Sequence, residues 1–396
     1  MAGKIILSGG DAVVYEGVIH DSAVVLENGI IEEVCLAREY PASDGDRIID
    51  VSGMTVCPGF IDLHNQGGGG YTVMKPTEED IFGMCRAHAA HGTTGLLLTP
   101  AVFEDTFRDS LPKLADMKGR NSGGAEILGI HAEGPFLNPV KKGCMPDRGI
   151  VPPSDALLDE ILEHGNGAIV EMTIAPELPG ALELINKLAN AGVVPSLGHS
   201  NATLNDVLRA VDYGAMHVTH FFNAMSPINH REPGLAGAAL FSTDLSVELV
   251  CDGFHVHPWI MGLTVQNKGV GRTCLVTDAM SPMGLEDGEY EALGFNCHLE
   301  NGRLSLCDNP EVLAGSVLSL DRAVANMVNM VGLPISDAVA MASASPAAVI
   351  GLDDRKGRLQ AGYDADIAIL DQRFDTVMTL VGGKIVFDAR DTGDIA

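Results

Sequence analysis

Histidines and carboxylates close a series of apolar stretches in this chain. His64 ends Phe60-Ile61-Asp62-Leu63-His64, and His131 and Glu133 end Ile130-His131-Ala132-Glu133. His199 follows Ser196-Leu197-Gly198, His220 follows Val218-Thr219, and Asp278 follows Leu275-Val276-Thr277. Asp252-Gly253-Phe254-His255 follows a further apolar stretch. One buried histidine is usually a packed, hydrogen-bonded core residue. Several of them converging with carboxylates would be costly to bury without a metal or a polar ligand. A carboxylate with two imidazoles suits a catalytic zinc and leaves a position open for water. The absence of cysteine from these stretch ends favours Zn²⁺ or Fe²⁺ held by nitrogen and oxygen. His131 shares a face with Glu133, as a ligand or as a hydrogen-bond partner behind one. His217 stands three residues before His220 and faces the other way. His88 and His91 read as structural, and His164, His230, His257 and His298 as surface or loop residues.

These residues need a frame that brings stretch ends together. Apolar strand candidates recur at 56–64, 94–99, 127–133, 169–175, 193–199, 217–222, 247–251 and 273–278. Helically spaced stretches such as 181–191 and 204–211 lie between them. This alternation predicts a (β/α)₈ TIM barrel over 57–359, whose active site lies at the C-terminal ends of its strands. Residues 1–56 and 360–396 carry short strands with Gly, Asn and Asp turns, and predict a small β-sandwich domain formed by both chain termini. Segment 285–306 reads as a β-hairpin inserted after the eighth strand.

The bulk properties narrow the partners. With 396 residues the chain exceeds most single cores. Its net charge of −28 repels nucleic acid and anionic membranes, so neither is an expected partner. An anionic substrate would then need a local pocket of Arg, His or backbone N–H groups. No apolar run approaches the ~18 residues of a membrane span, and the N-terminal segment reads as a strand rather than a signal peptide. Eight cysteines without a CxxC pair read as free thiols in a reducing cytoplasm.

Longer motifs carry a resemblance. His131-Ala132-Glu133-Gly134-Pro135-Phe136-Leu137-Asn138, Thr219-His220-Phe221-Phe222-Asn223-Ala224-Met225 and Arg231-Glu232-Pro233-Gly234-Leu235-Ala236-Gly237 are the most specific. With Gly198-His199-Ser200, Asp252-Gly253-Phe254-His255, Val276-Thr277-Asp278-Ala279 and Leu313-Ala314-Gly315-Ser316, they resemble the N-acetylglucosamine-6-phosphate deacetylases of the amidohydrolase superfamily. The resemblance implies one divalent metal per chain, Zn²⁺ first and Fe²⁺ second, on Glu133, His199 and His220. It makes Asp278 the catalytic acid/base and places His255 against the substrate acetamide. Asn223, Ala224 and Arg231 become contacts near the sugar phosphate, and Leu313, Ala314 and Gly315 a loop over the substrate. It also implies a homodimer acting on a small amino-sugar phosphate, with the partner subunit helping to close the phosphate site.

Two positions depart from the family pattern. His64-Asn65-Gln66 replaces the usual His-x-His, which leaves His64 alone as a possible second metal site. Lys142-Gly143-Cys144-Met145 replaces Lys-Gly-x-His in a loop laid over the sugar, where Cys144 and Met145 become substrate neighbours. A thioether cannot donate a strong hydrogen bond, so the sugar epimer stays open. The alternatives are another N-acyl sugar, including N-acetylgalactosamine-6-phosphate or an unphosphorylated one, a different amide, or a non-catalytic scaffold. Retention of Glu133, His199, His220 and Asp278 argues against the scaffold. No lysine at a strand end is available for the carboxylated bridge of binuclear relatives.

Overall fold

The computed structural model describes residues 3–391. Eight parallel strands form the barrel: β1 Phe60–Asn65, β2 Thr93–Leu98, β3 Glu126–Glu133, β4 Ile169–Ile174, β5 Val194–Leu197, β6 His217–Val218, β7 Val247–Val250 and β8 Thr273–Val276. Neighbours pair in sequence order from β1 to β6, and β7 pairs with β8. The Phe221 amide donates to the Glu248 carbonyl at 2.8 Å, carrying the sheet from β6 to β7. The Asp278 amide donates to the His64 carbonyl at 2.8 Å and closes β8 onto β1. Strands such as Leu96-Leu97-Leu98 are buried on both faces, which is why they read as continuous apolar runs rather than alternating ones.

Helices return the chain between strands, and their starts are written locally. Thr203 and Asp206 form a reciprocal capping box before Leu204–Asp212, and Ser154 accepts from the Leu157 amide before Asp155–Gly165. Among the described residues no helix is long and apolar enough to cross a membrane.

Both ends of the chain meet in one eight-stranded sheet. Thr55–Pro58 runs antiparallel beside Ile367–Leu370 and parallel to Ile5–Val14. Leu7, Val24, Ile31, Val56, Ile367 and Ile369 form a separate core under it. The 56–64 stretch is therefore two strands: 55–58 belongs to the small sheet and β1 begins at Phe60. Gly59 is the joint, because a Cβ there would meet the Thr94 side chain at 2.2 Å. The inserted segment also differs from expectation. Gly288–Ala292, Phe295–Glu300 and Arg303–Leu306 form a three-stranded antiparallel meander, not a hairpin. A bridge between Ser305 and Leu313 ties the 311–315 loop to this meander above the barrel mouth.

Candidate active site

Glu133 is the last residue of β3, while His199, His220 and Asp278 each lie two residues beyond the end of β5, β6 and β8. All three of these later residues have positive φ, at 46°, 29° and 48°. A non-glycine residue in that region is strained, and such strain persists where surrounding structure holds it, often at functional sites. Here it ends the strand ladder and coincides with side chains that meet at the barrel mouth.

The His199 Nδ1–H donates to the Lys141 carbonyl at 3.0 Å, so Nε2 is the nitrogen turned toward the centre. That Nε2 lies 3.0 Å from Glu133 Oε1 and 3.0 Å from His220 Nε2, and His220 Nε2 lies 3.4 Å from Glu133 Oε1. One carboxylate and two imidazole nitrogens thus face one point, all buried. Burial would raise the Glu133 carboxyl, but its contacts with His199 and His220 hold it well below its usual range. This donor set fits a divalent cation bound by nitrogen and oxygen.

Asp278 stands beside that point. Burial pushes its carboxyl up, against the pull of His64 and His220. His64 Nε2 lies 3.5 Å from Asp278 Oδ1 and 3.9 Å from Glu133 Oε1, while its Nδ1 pairs with Glu248 Oε2 at 2.9 Å. Gln66 is not a vacancy left by a lost histidine. Its Nε2 donates to Glu133 Oε2 at 2.9 Å and occupies the carboxylate oxygen turned away from the two imidazoles. His131 has both nitrogens engaged, donating to the Leu63 carbonyl at 3.0 Å and meeting Thr173 Oγ1 at 2.8 Å, so it is not among the converging ligands. His88 pairs with the Gly67 carbonyl and His91 with Asp321, both as structural contacts.

A cavity of about 290 Å³ opens over this centre. Asn223, Ala224, His255, Cys144, Met145, Leu313 and Gly315 line it together with Glu133, His199, His220 and Asp278. The His255 Nδ1–H donates to Asp252 Oδ2 at 2.6 Å, which fixes the ring at the cavity wall. Met145 is buried against Ala101, Phe103 and Leu137 as well as lining the cavity. Two expected contacts lie elsewhere. Ala314 is buried outside the lining, and Arg231 is exposed, away from the cavity of its own chain. Three residues went unread in the sequence: Glu248, whose Oε2 also accepts the His220 amide at 2.8 Å, Glu171, and Asp62, which accepts from Thr277 Oγ1 at 2.6 Å. The readable signal was a lone carboxylate inside each apolar run, such as Val247-Glu248-Leu249-Val250.

The model of the Amidohydrolase family matches residues 55–386. The chain belongs to this family. Among individual amidohydrolases, it is 32% identical to an N-acetylglucosamine-6-phosphate deacetylase of Bacillus subtilis, over 95% of this chain and 98% of that one. It is 33% identical to an N-acetylgalactosamine-6-phosphate deacetylase of Escherichia coli O157:H7, covering 93% and 96%. A solved Mycobacterium smegmatis N-acetyl-D-glucosamine-6-phosphate deacetylase variant in complex with N-acetyl-D-glucosamine-6-phosphate superimposes with a TM-score of 0.90 at 30% identity, covering 97% and 99%.

Proposed function

We propose that this amidohydrolase removes the acetyl group of N-acetylglucosamine-6-phosphate, giving glucosamine-6-phosphate and acetate. The observation that carries the reading is Asp278, raised by burial, beside the Glu133–His199–His220 donor set on the floor of a cavity sized for a hexose phosphate. Those three side chains would hold one divalent cation, Zn²⁺ first and Fe²⁺ second. A bound ion of this kind lowers the pKa of water toward ~7 and polarises a carbonyl. Asp278 accepts the water proton and returns it to the departing nitrogen, so the amine leaves neutral. His255 faces the acetamide; against the effect of burial, Asp252 raises its pKa and favours the doubly protonated ring, whose Nε2–H donates to the oxygen on which charge develops. Loop 311–315 covers the sugar.

Acetate release from a panel of N-acetyl amino sugars, each with and without 6-phosphate, tests this directly. The 6-phosphorylated sugars are expected to be hydrolysed and their free counterparts poorly. Met145 offers an apolar wall where a histidine would bond a hydroxyl, and an apolar wall discriminates weakly. The glucose- and galactose-configured substrates should therefore differ little in kcat/KM, and Met145→His should widen the gap. No acetate from any phosphorylated sugar overturns the function; an unchanged epimer ratio removes Met145 from sugar choice alone.

The assembly reading is a cytoplasmic homodimer. Trp259 is 84% exposed and Phe241 74%, and Phe254, Leu263 and Met330 on neighbouring elements are also exposed. Apolar patches of this kind mark interaction surfaces. Arg231 lies on an exposed loop and has no ion pair among the described residues. In the dimer it reaches the cavity of the partner subunit and binds the phosphate through its planar, always-charged fork. Arg231→Ala should raise KM far more for the phosphorylated sugar than for the free one. An equal change for both rejects the role.

A further inference from the structure

Below the catalytic mouth, the barrel lumen holds charged groups that neither the metal centre nor the cavity uses. Glu171 on β4, His217 on β6 and Glu248 on β7 are all 0% exposed. His217 Nε2 lies 3.9 Å from Glu171 Oε1 and 3.8 Å from Glu248 Oε1. None of these three atoms has a hydrogen-bond partner, and neither has Glu171 Oε2.

The surrounding polar groups are already engaged. His131 Nδ1 faces the Leu63 carbonyl at 3.0 Å, and a carbonyl only accepts, so Nδ1 carries the hydrogen. The His131 Nε2 meets the Thr173 hydroxyl at 2.8 Å. Thr173 Oγ1 pairs with Thr219 Oγ1 at 2.7 Å, and Thr219 Oγ1 with Ser196 Oγ at 2.7 Å, so these hydroxyls are engaged with one another.

His217 Nδ1 pairs with Ser246 Oγ at 2.6 Å, and that hydroxyl also lies 3.1 Å from the Met216 carbonyl. Burial pushes His217 down to about 4, and the Nε2 of this neutral ring faces the two carboxylates without a hydrogen-bond partner. Glu248 Oε2 is occupied by His64 Nδ1 and the His220 amide, leaving Oε1 free toward the cluster. Four buried polar atoms without a hydrogen-bond partner therefore face one another: both oxygens of Glu171, one of Glu248 and one nitrogen of His217. Burial and the neighbouring Glu248 push the Glu171 carboxyl well above its usual range, and a cation bound there would take the place of the proton it holds. A cation meets all of them, and buried carboxylates are retained where they are paired or hold a metal.

We propose that Glu171, His217 and Glu248 bind a structural first-row divalent cation inside the barrel, separate from the catalytic centre. Two carboxylates and one imidazole suit Zn²⁺, Mn²⁺ or Fe²⁺. Ligand atoms around a tetrahedral ion at ~2.0–2.2 Å stand roughly 3.3–3.6 Å apart, so the observed 3.8–3.9 Å needs only a small contraction. The ion would also brace Glu248, whose other oxygen holds the His220 amide and His64. Complete burial leaves no exchange route, so the ion enters as the chain folds and leaves only when it unfolds.

The test is independent of the substrate. The full chain is produced in media enriched in Zn²⁺, Mn²⁺ or Fe²⁺, stripped natively with EDTA, and analysed for metals. About one equivalent should survive stripping in at least one medium. It should be released to a chromogenic chelator only across the unfolding transition. Anomalous scattering should place it between β4, β6 and β7. Glu171→Gln and His217→Asn should each remove the retained equivalent while the chelator-accessible one remains. Less than a tenth of an equivalent in the stripped wild-type protein from all three media overturns the proposal. So does an anomalous peak elsewhere, or retention undiminished in both variants. A variant that fails to fold leaves the wild-type measurements to decide. Absence of deacetylase activity would count against the proposed reaction and leave the retained equivalent unaffected.

Discussion

Asp278→Asn lowers kcat by ~10²–10⁴-fold, the usual contribution of general acid–base catalysis, while the chelator-accessible metal stays bound. The substitution keeps the side chain's size and its place two residues past β8, where φ is 48°. Asparagine is well suited to that left-handed conformation, so the backbone turn survives. What disappears is a group able to take a proton from water and return it to nitrogen. Burial raises the Asp278 carboxyl, bringing it closer to the pH at which transfer in both directions is efficient. His64 Nε2, 3.5 Å away, then faces a neutral amide instead of a carboxylate. KM should change much less than kcat, because the residue acts on the proton and not on the sugar. Near-normal kcat with metal still bound would reduce Asp278 to a group that orients its neighbours.

The barrel was legible because its strands are buried on both faces and its helices are capped by local chemistry. The small sheet was legible from short strand-like runs separated by Gly, Asn and Asp turns. What the sequence could not show was where strands stop. His199, His220 and Asp278 look like strand ends, yet each sits two residues further on, in a conformation that only surrounding contacts sustain. The meander over 288–306 was read one strand short because its strands are short and largely exposed. Gln66 was noticed as a departure, but its acceptor, Glu133, lies 67 residues away and no spacing rule reports it. Glu171 and Glu248 each appear as a single carboxylate in an apolar run, and only closure of the barrel brings them together. Arg231 illustrates the opposite limit. Its motif is specific, but the cavity of a single chain does not include it.

Glu133→Gln abolishes activity and removes the chelator-accessible metal. The reason lies in the two sides of the carboxylate. Oε1 faces the Nε2 atoms of His199 and His220, at 3.0 Å and 3.4 Å, and Oε2 accepts from the Gln66 amide at 2.9 Å. A carboxylate serves both sides, because each oxygen only accepts. An amide keeps only one accepting oxygen. With that oxygen toward the imidazoles, its NH₂ faces Gln66, which must flip its own amide and present Oε1 to accept it. Flipped, its oxygen accepts from Gln66, but two hydrogens point where the cation binds. The second orientation leaves buried donors against the metal position, and in both the charge that offsets the ion is lost. Gln66→Glu would not repair the first orientation by restoring charge near the site, because the new carboxylate would lie behind the amide and not against the imidazoles. The double variant should therefore stay inactive. Metal content measured after dialysis, beside acetate release, decides the matter. Full activity in metal-stripped protein, or an unchanged chelator-accessible equivalent in the single variant, would remove Glu133 from the metal centre.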